Sequence, residues 1–344
     1  MNIKLFFLSI FSFLILTSCS DDDFGIPVEL EGDFANGIFV LNEGNSAGGS
    51  LSFMTSDFSE TTQNAYKSVN PDDDLGLFVQ SIFFDEQFAY IISNGSNMIT
   101  IVNRYTLEFV DRIDSGLNVP RYGVILNGKA YVTNQADFST TSDDYVAVID
   151  LASRTVENTI VLGSYAEKIY EFENKIYVQN ASYGFGNQIS KLNIENQTVE
   201  QNLSFSSAIS DTYLSNGNLY VLAQDEISQV NLTNFQTSST WRLAETHVGA
   251  SRLAVEGNAI YFTSSNSVYN FNTSDDVISE TALFSYETTS AFGTFYGFDV
   301  HNGFIYLSDG ADFASNGFIQ IRNSQGDLIK EQEVGIGPNS FYFN

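Results

Sequence analysis

The chain has 344 residues, with 14 Lys and Arg against 42 Asp and Glu, which gives a formal net charge of −28. A surface of that sign repels nucleic-acid phosphates and anionic lipids, so we expect no nucleic-acid partner. The chain contains one cysteine, Cys19, so no intramolecular disulfide can form.

The N-terminal residues 1–18 read as a lipoprotein signal peptide. Lys4 supplies the basic start, and the apolar segment 5–16 is too short to span a bilayer. Leu16-Thr17-Ser18-Cys19 resembles a lipobox, which predicts lipidation of Cys19 and anchoring in the outer membrane. An ordinary secretory leader that happens to contain a cysteine is the alternative.

Residues 19–35 are interpreted as the lipidated cysteine and an acidic tether. The tract Ser20-Asp21-Asp22-Asp23 resembles the export signal of surface lipoproteins of Bacteroidetes. It therefore predicts a protein that faces the cell exterior, with retention in the periplasm as the alternative.

From residue 36 onward one motif recurs: turn residues, an apolar segment that contains an aromatic anchor, and a closing polar residue. Steps of 41 to 51 residues between strand-like segments are typical of β-propellers. The seven anchors are Phe39, Tyr90, Tyr131, Tyr177, Tyr220, Tyr261 and Tyr306.

Each repeat contains two hairpins, which predicts four antiparallel strands, named a to d from the channel outward. Turns such as Asn127-Gly128 suit the first hairpin, because both residues tolerate positive φ. The first repeat lacks strand a, whereas the chain ends on an unassigned strand, Asn339–Asn344. We therefore predict an all-β, seven-bladed propeller over residues 36–344, closed by pairing of the C-terminal strand with the N-terminal blade.

Enzymatic signatures are sparse. The only histidines, His247 and His301, are isolated, and the single tryptophan, Trp241, does not suggest the Trp-rich repeats of quinone-dependent propellers. Acidic clusters such as Asp72–Asp74 lack a metal-loop spacing. We predict no catalytic residue, metal or cofactor. A metal-dependent hydrolase or lyase with carboxylates in the central channel stays open, because the sequence alone cannot place them.

Strand direction predicts that the b–c loops and the d–a connections share one end of the propeller, called the top. These segments are rich in aromatic and amide side chains, which favour a bulky, neutral ligand. The Ala-Asp-Phe triplet occurs there twice, and the Gly-rich segment 43–49 is expected to be a flexible loop. Alternatively, the aromatic rings pack on neighbouring blades and the polar groups cap strands. The candidate ligand-binding residues are Asn45, Asn94, Tyr122, Asn134, Asp137, Phe138, Tyr165, Asn180, Tyr183, Phe185, Phe292, Tyr296, Asp309, Asp312 and Phe313.

The opening segment Gly37–Asn45, the closing Gly337-Pro338-Asn339, the lipobox and the seven repeats together resemble one family. It is the YncE-like, DUF5074-type group of Bacteroidetes surface lipoprotein propellers. Its BtuG-like members capture cobalamin and pass it to a TonB-dependent outer-membrane transporter. The resemblance implies non-enzymatic capture of a corrinoid with a transporter partner, but it carries over no contact residue. A surface propeller that binds a protein or a glycan is the alternative.

Overall fold

The computed structural model describes residues 32–247, 249–288, 290 and 292–344. In this part of the chain, 28 strands form seven four-stranded antiparallel sheets. The predicted seven-bladed propeller is therefore confirmed. The predicted signal peptide, Cys19 and most of the tether lie outside the described residues.

The strands follow one another from the centre of the ring outward in every blade except the first. Blade 1 contains β1 (Gly37–Asn45), β2 (Gly48–Thr55) and β3 (Thr61–Thr62), with β28 (Pro338–Phe343) innermost. Blades 2 to 4 are β4 (Val79–Phe84), β5 (Phe88–Ser93), β6 (Met98–Asn103), β7 (Phe109–Ile113), β8 (Pro120–Leu126), β9 (Lys129–Asn134), β10 (Tyr145–Asp150), β11 (Thr155–Val161), β12 (Ile169–Phe172), β13 (Lys175–Ser182), β14 (Phe185–Asn193) and β15 (Thr198–Ser204). Blades 5 to 7 are β16 (Ile209–Ser215), β17 (Asn218–Ala223), β18 (Glu226–Asn231), β19 (Gln236–Arg242), β20 (Leu253–Glu256), β21 (Ala259–Ser264), β22 (Ser267–Asn272), β23 (Phe284–Ser285), β24 (Thr294–His301), β25 (Phe304–Asp309), β26 (Phe318–Asn323) and β27 (Leu328–Glu333).

The two ends of the ring meet in blade 1, as predicted. Strand β28 pairs antiparallel with β1, with Phe341 opposite Val40. Gly37 and Asn344 exchange backbone hydrogen bonds of 3.2 and 2.9 Å at the end of this ladder. Phe341 is buried in the cluster that joins blades 7 and 1, and its ring centroid lies 5.6 Å from that of Tyr306. Backbone pairing and an apolar joint therefore close the propeller together.

The repeat motif forms the core because its strands are covered on both faces by neighbouring blades. In β5, for example, Ile91 and Ile92 are both fully buried but belong to different inter-blade clusters. The turns behave as their sequences require: Asn127 and Gly128 have φ values of 53° and 74°, as in a type I′ hairpin.

Two local features differ from the sequence-based expectation. The Gly-rich segment 43–49 was wrongly expected to be a loop: β1 and β2 run into it and leave Ser46 and Ala47 at the turn. A five-residue helix, α1 (Ala65–Val69), follows the short β3, and a 3₁₀ turn (Glu245–His247) precedes β20. Among the described residues, no helix is long and apolar enough to cross a membrane.

Candidate functional site at the mouth of the central channel

The seven innermost strands surround a cavity of about 700 Å³. Each of β4, β8, β12, β16, β20, β24 and β28 contributes lining residues, so every blade reaches this space. These strands run from the top of the propeller to the bottom, and the residues at their starts therefore lie at the top. Glu43, near the top end of β1, and Tyr183, which directly follows β13, border the same cavity.

The upper ends of several inner strands are irregular. Where each inner strand pairs with the next strand of its blade, Gln80, Ser210 and Asn339 have no partner residue. In blade 3, the two residues Arg121 and Tyr122 lie opposite a single residue of β9. Such bulges change the direction of the side chains. Phe78 and Val119, which precede β4 and β8, and Phe295, the second residue of β24, have a left-handed backbone, with φ values of 51°, 49° and 52°. That conformation is unfavourable for a β-branched Val, which marks the mouth as a place where packing maintains local strain.

The bulges and adjoining residues create a polar layer, one residue from each blade, that we call the mouth ring. All of its members line the cavity. They are Gln80, Arg121, Glu167, Ser210, Arg252, Tyr296 and Asn339.

The mouth ring contains a buried ion pair between blades 3 and 4. Arg121 donates from Nη2 and Nε to the two carboxylate oxygens of Glu167, at 2.7 and 3.2 Å. Its Nη1 donates to Gln80 at 2.5 Å, and Glu167 also accepts from Gln135 and Ser182. Burial acts to lower the pKa of Arg121, but the nearby Glu167 carboxylate, together with smaller contributions from Tyr122 and Tyr183, raises that pKa overall. All three guanidinium nitrogens of Arg121 therefore have a hydrogen-bond acceptor.

Arg252, the second guanidinium of the mouth ring, has a different environment. It donates from Nε and Nη2 to the carbonyl oxygens of Phe295 and Tyr296, at 2.8 and 2.7 Å. Tyr296 in turn donates from its hydroxyl to Glu43, which links blades 7 and 1. Burial raises the pKa of Glu43, although the bond from Tyr296 acts in the opposite direction. Among the described residues Arg252 makes no ion pair, so its positive charge is available at the mouth.

A second layer of polar residues lies deeper in the channel, and we call it the lower chamber. Lys168 donates to Asp211 at 2.5 Å, and Tyr213 donates across the channel to Asp299 at 3.0 Å. Burial raises the pKa of Asp299 to about 6. The chamber consists of Tyr122, Lys168, Tyr170, Asp211, Tyr213, Asp299 and Tyr342.

Four of the candidate aromatic residues lie exposed on the top face. Phe138, Tyr183, Phe185 and Phe292 are 71%, 64%, 64% and 85% exposed. Tyr183 also lines the cavity, and the guanidinium carbon of Arg121 lies 5.9 Å from its ring centroid. We call these four residues the rim aromatics.

The other candidate aromatics are less accessible. Phe313 is half-buried and its ring meets that of Tyr296 edge-on at 4.8 Å, so it packs on the mouth ring. Tyr122 and Tyr296 line the channel itself, and the Tyr122 hydroxyl accepts from Gln80. Tyr165 is half-buried, and its carbonyl oxygen accepts from Asn180.

Most of the candidate polar residues are engaged within the protein. Asn134, Asn180 and Asp309 are buried. The amides of Asn134 and Asn180 bond the carbonyls of Val132 and Tyr165, and Asp309 accepts from Tyr286. Their contacts therefore match the capping alternative.

The remaining polar candidates lie nearer to solvent. Asn94 donates to Gln80 and so supports the mouth ring, whereas Asn45 donates to the carbonyl of Phe313. Asp137 and Asp312 are exposed, and each accepts from backbone N–H groups of its own loop.

The charged channel, whose lining includes four acidic and three basic residues, was not predicted from the sequence. A signal does exist: polar or charged residues occur at or just before the start of the inner strand in several repeats, as in Glu167-Lys168 and Ser210-Asp211. Within the described ranges, no group of three or more His, Cys, Asp or Glu side chains is arranged to hold a metal ion. The missed charges are Glu43, Arg121, Glu167, Lys168, Asp211, Arg252 and Asp299.

The propeller architecture is shared with many solved structures. A quinonprotein alcohol dehydrogenase-like protein from Bacteroides thetaiotaomicron is 15% identical, with a TM-score of 0.66 over 90% of this chain and 78% of that one. A functionally unknown protein from Desulfotomaculum acetoxidans is 12% identical, with a TM-score of 0.66 over 90% and 99%. BamB from Moraxella catarrhalis is 13% identical, with a TM-score of 0.54 over 90% and 86%. At these identities the likeness shows the fold alone.

Comparison at the level of sequence is more specific. No protein with a curated description matches the chain. The profile of DUF5074, described as a domain of unknown function, matches residues 36–343, which is the whole propeller. The chain therefore belongs to the DUF5074 family.

Proposed function

We propose that this protein is a non-enzymatic capture protein that binds a bulky, largely planar ligand of the corrinoid class, such as cobalamin, at the top face. In this proposal Cys19 anchors the chain in the outer membrane facing the cell exterior, and the ligand passes to a TonB-dependent transporter. The single observation that supports it most is the rim aromatics, which lie at the same end as the channel mouth.

The rim aromatics are costly without a ligand because they present apolar rings to water. A large flat molecule can cover several of them at once, and such rings supply contact area with little loss of conformational entropy. A corrin macrocycle fits this description, and its edge carries amide groups that need hydrogen-bond partners.

The mouth ring supplies polar groups beneath the rim. Arg252 has a guanidinium without an ion-pair partner in the described part of the chain, and Ser210 adds a hydroxyl. Pockets that combine apolar walls with a few fixed polar groups are typical of small-molecule sites. An anionic group on the ligand, such as the phosphodiester of a complete cobalamin, would complement Arg252.

The second candidate is a surface propeller that binds a protein or a glycan. The breadth of the top face favours it: Leu77, Phe78 and Phe318, also at that end, are each more than a third exposed. Such a partner would cover the whole face rather than the mouth alone.

Titration calorimetry of the mature protein with cyanocobalamin tests the first candidate. We expect saturable heat, and we expect the double variant Phe138→Ala and Phe292→Ala to weaken binding by about 1–3 kcal/mol. Phe109→Ala is the matched control, because Phe109 is an exposed aromatic at the start of an outer strand, away from the top face. No heat with the wild-type protein at micromolar ligand would reject the corrinoid, and an equal loss in the control would reject the top-face site.

Protease treatment of intact cells tests the location. We expect cleavage of the wild-type protein, release from the membrane fraction for Cys19→Ala, and protection when Asp21, Asp22 and Asp23 are replaced by Ala. A wild-type protein that is fully protected on intact cells would contradict the surface location.

A further inference from the structure

The lower chamber contains a carboxylate that is only half satisfied. Asp299 accepts from the Tyr213 hydroxyl at 3.0 Å and from the backbone N–H of Val300 at 2.7 Å. Both donors bond the same oxygen, Oδ1, and Oδ2 has no hydrogen-bond donor among the described residues. Since Asp299 lines the cavity, a ligand in the cavity can approach its carboxylate.

The charges around Asp299 leave an excess of one negative charge. Lys168 is the only cation of the lower chamber, and its Nζ bonds Asp211 at 2.5 Å and the carbonyl of Thr212 at 3.2 Å. Its ammonium group therefore forms a direct ion pair with Asp211 and attracts the Asp299 carboxylate only at longer range. Unpaired carboxylates are expensive in a confined space, because they lose hydration without gaining a counter-ion.

The surroundings suit an organic cation better than a metal ion. Phenol rings of Tyr122, Tyr170, Tyr213 and Tyr342 line the chamber, and aromatic rings attract ammonium groups. Apolar side chains complete the wall and can hold a short hydrocarbon body. They are Ile82, Ile169, Leu214, Phe298 and Phe341.

We propose that the lower chamber is a second ligand site, which binds a small organic molecule through a primary ammonium group that donates to Oδ2 of Asp299. The ammonium supplies the missing counter-charge, and the hydrocarbon part packs on the apolar wall. The site lies beneath the mouth ring in the same cavity, so a molecule can reach it from the top without opening the ring.

The test is a calorimetric titration of the mature protein with n-butylammonium chloride at constant chloride concentration. n-Butanol, which has nearly the same shape but no charge, is the ligand control. We expect saturable binding of the ammonium and at least ten-fold weaker binding of the alcohol. Equal affinities would overturn the proposal, as would the absence of saturable ammonium binding.

Variants then locate the ligand. Asp299→Asn keeps the shape and the acceptor for Tyr213 but removes the charge, and it should weaken ammonium binding at least ten-fold. Asp225→Asn is the control, because Asp225 is an exposed carboxylate that pairs with Arg242 and does not line the cavity. An unchanged affinity in Asp299→Asn, or an equal loss in Asp225→Asn, would overturn the assignment.

A measurement on the wild-type protein covers the case in which Asp299→Asn does not fold. Protonation of Asp299 removes the charge that attracts the ammonium, so affinity should fall as the pH decreases from 7.5 to 5. The charged groups nearest to Asp299, Lys168 and Asp211, form an ion pair with each other. A constant affinity over this range would overturn the role of Asp299.

Ammonium binding in the lower chamber does not depend on whether the top face binds a corrinoid. The double variant Phe138→Ala and Phe292→Ala leaves the lower chamber intact, so it should retain ammonium binding. Failure of cyanocobalamin to bind leaves the ammonium result unaffected, and the reverse also holds.

Discussion

Replacement of Phe341 by Ala should weaken the joint that closes the ring. Phe341 is 5% exposed; it shares a buried cluster with Ile38 and Val40 of its own blade and with Tyr306 of blade 7. Removal of a buried Phe side chain typically costs about 3–5 kcal/mol, because apolar contacts are lost and a cavity remains. For a propeller of about 310 residues the unfolding entropy is about 0.65 kcal/mol/K, so the melting temperature should fall by about 5–8 °C.

Thermal unfolding followed by far-UV circular dichroism measures this change. Phe109→Ala is the control, because Phe109 is a half-exposed ring on an outer strand, and its change should be much smaller. A chain that ends at Gly337 loses Phe341 together with the whole β1–β28 ladder, and it should unfold at a lower temperature than Phe341→Ala. If Phe341→Ala melts within 1 °C of the wild-type protein, the closing strand does not carry the stability assigned to it.

Three further predictions concern charge and exposure. Glu167→Gln leaves Arg121 buried without a counter-ion and should destabilise the fold by about 3–5 kcal/mol in urea unfolding; a loss below 1 kcal/mol would contradict the buried pair. Asp299 has a folded pKa of about 6, raised from 3.8, so its contribution to stability is present below pH 3.8 and is lost as the pH rises through 6. Unfolding free energies between pH 4 and 7 should therefore decrease more steeply for the wild-type protein than for Asp299→Asn, and parallel curves would refute the shift. Phe138→Ala removes an exposed ring and should change the unfolding free energy by less than about 0.5 kcal/mol; a larger loss would show that the ring packs on the protein.

The sequence predicted the scaffold because its signals are local and repeated. The Asn-Gly turns, the aromatic anchors and the missing first strand can all be read from single segments, and the structure confirms the blade count and the closure. The Gly-rich segment 43–49 was wrongly predicted as a loop because glycine is common in loops. In the structure most of this segment is β-strand, because the end of β1 pairs with the start of β2.

The channel could not be predicted in the same way. Whether Gln80 and Arg121 enter it depends on bulges and on left-handed residues such as Phe78 and Val119, whose conformation no sequence propensity favours. The two Ala-Asp-Phe triplets show the same limit. Phe138 stays exposed, whereas Phe313 meets Tyr296, although the triplets are identical. Tertiary contacts within a blade and between neighbouring blades decide these outcomes.

The pairing of β28 with β1 also determines when the propeller can finish folding. As the chain is synthesised from its N-terminus, blade 1 lacks its innermost strand, β28, until about 300 further residues have been added. Partners so far apart in sequence make assembly slow, and the unpaired edge of β1 is open to other chains in the interval. Folding of this protein therefore requires that this edge be protected until the last strand has been added.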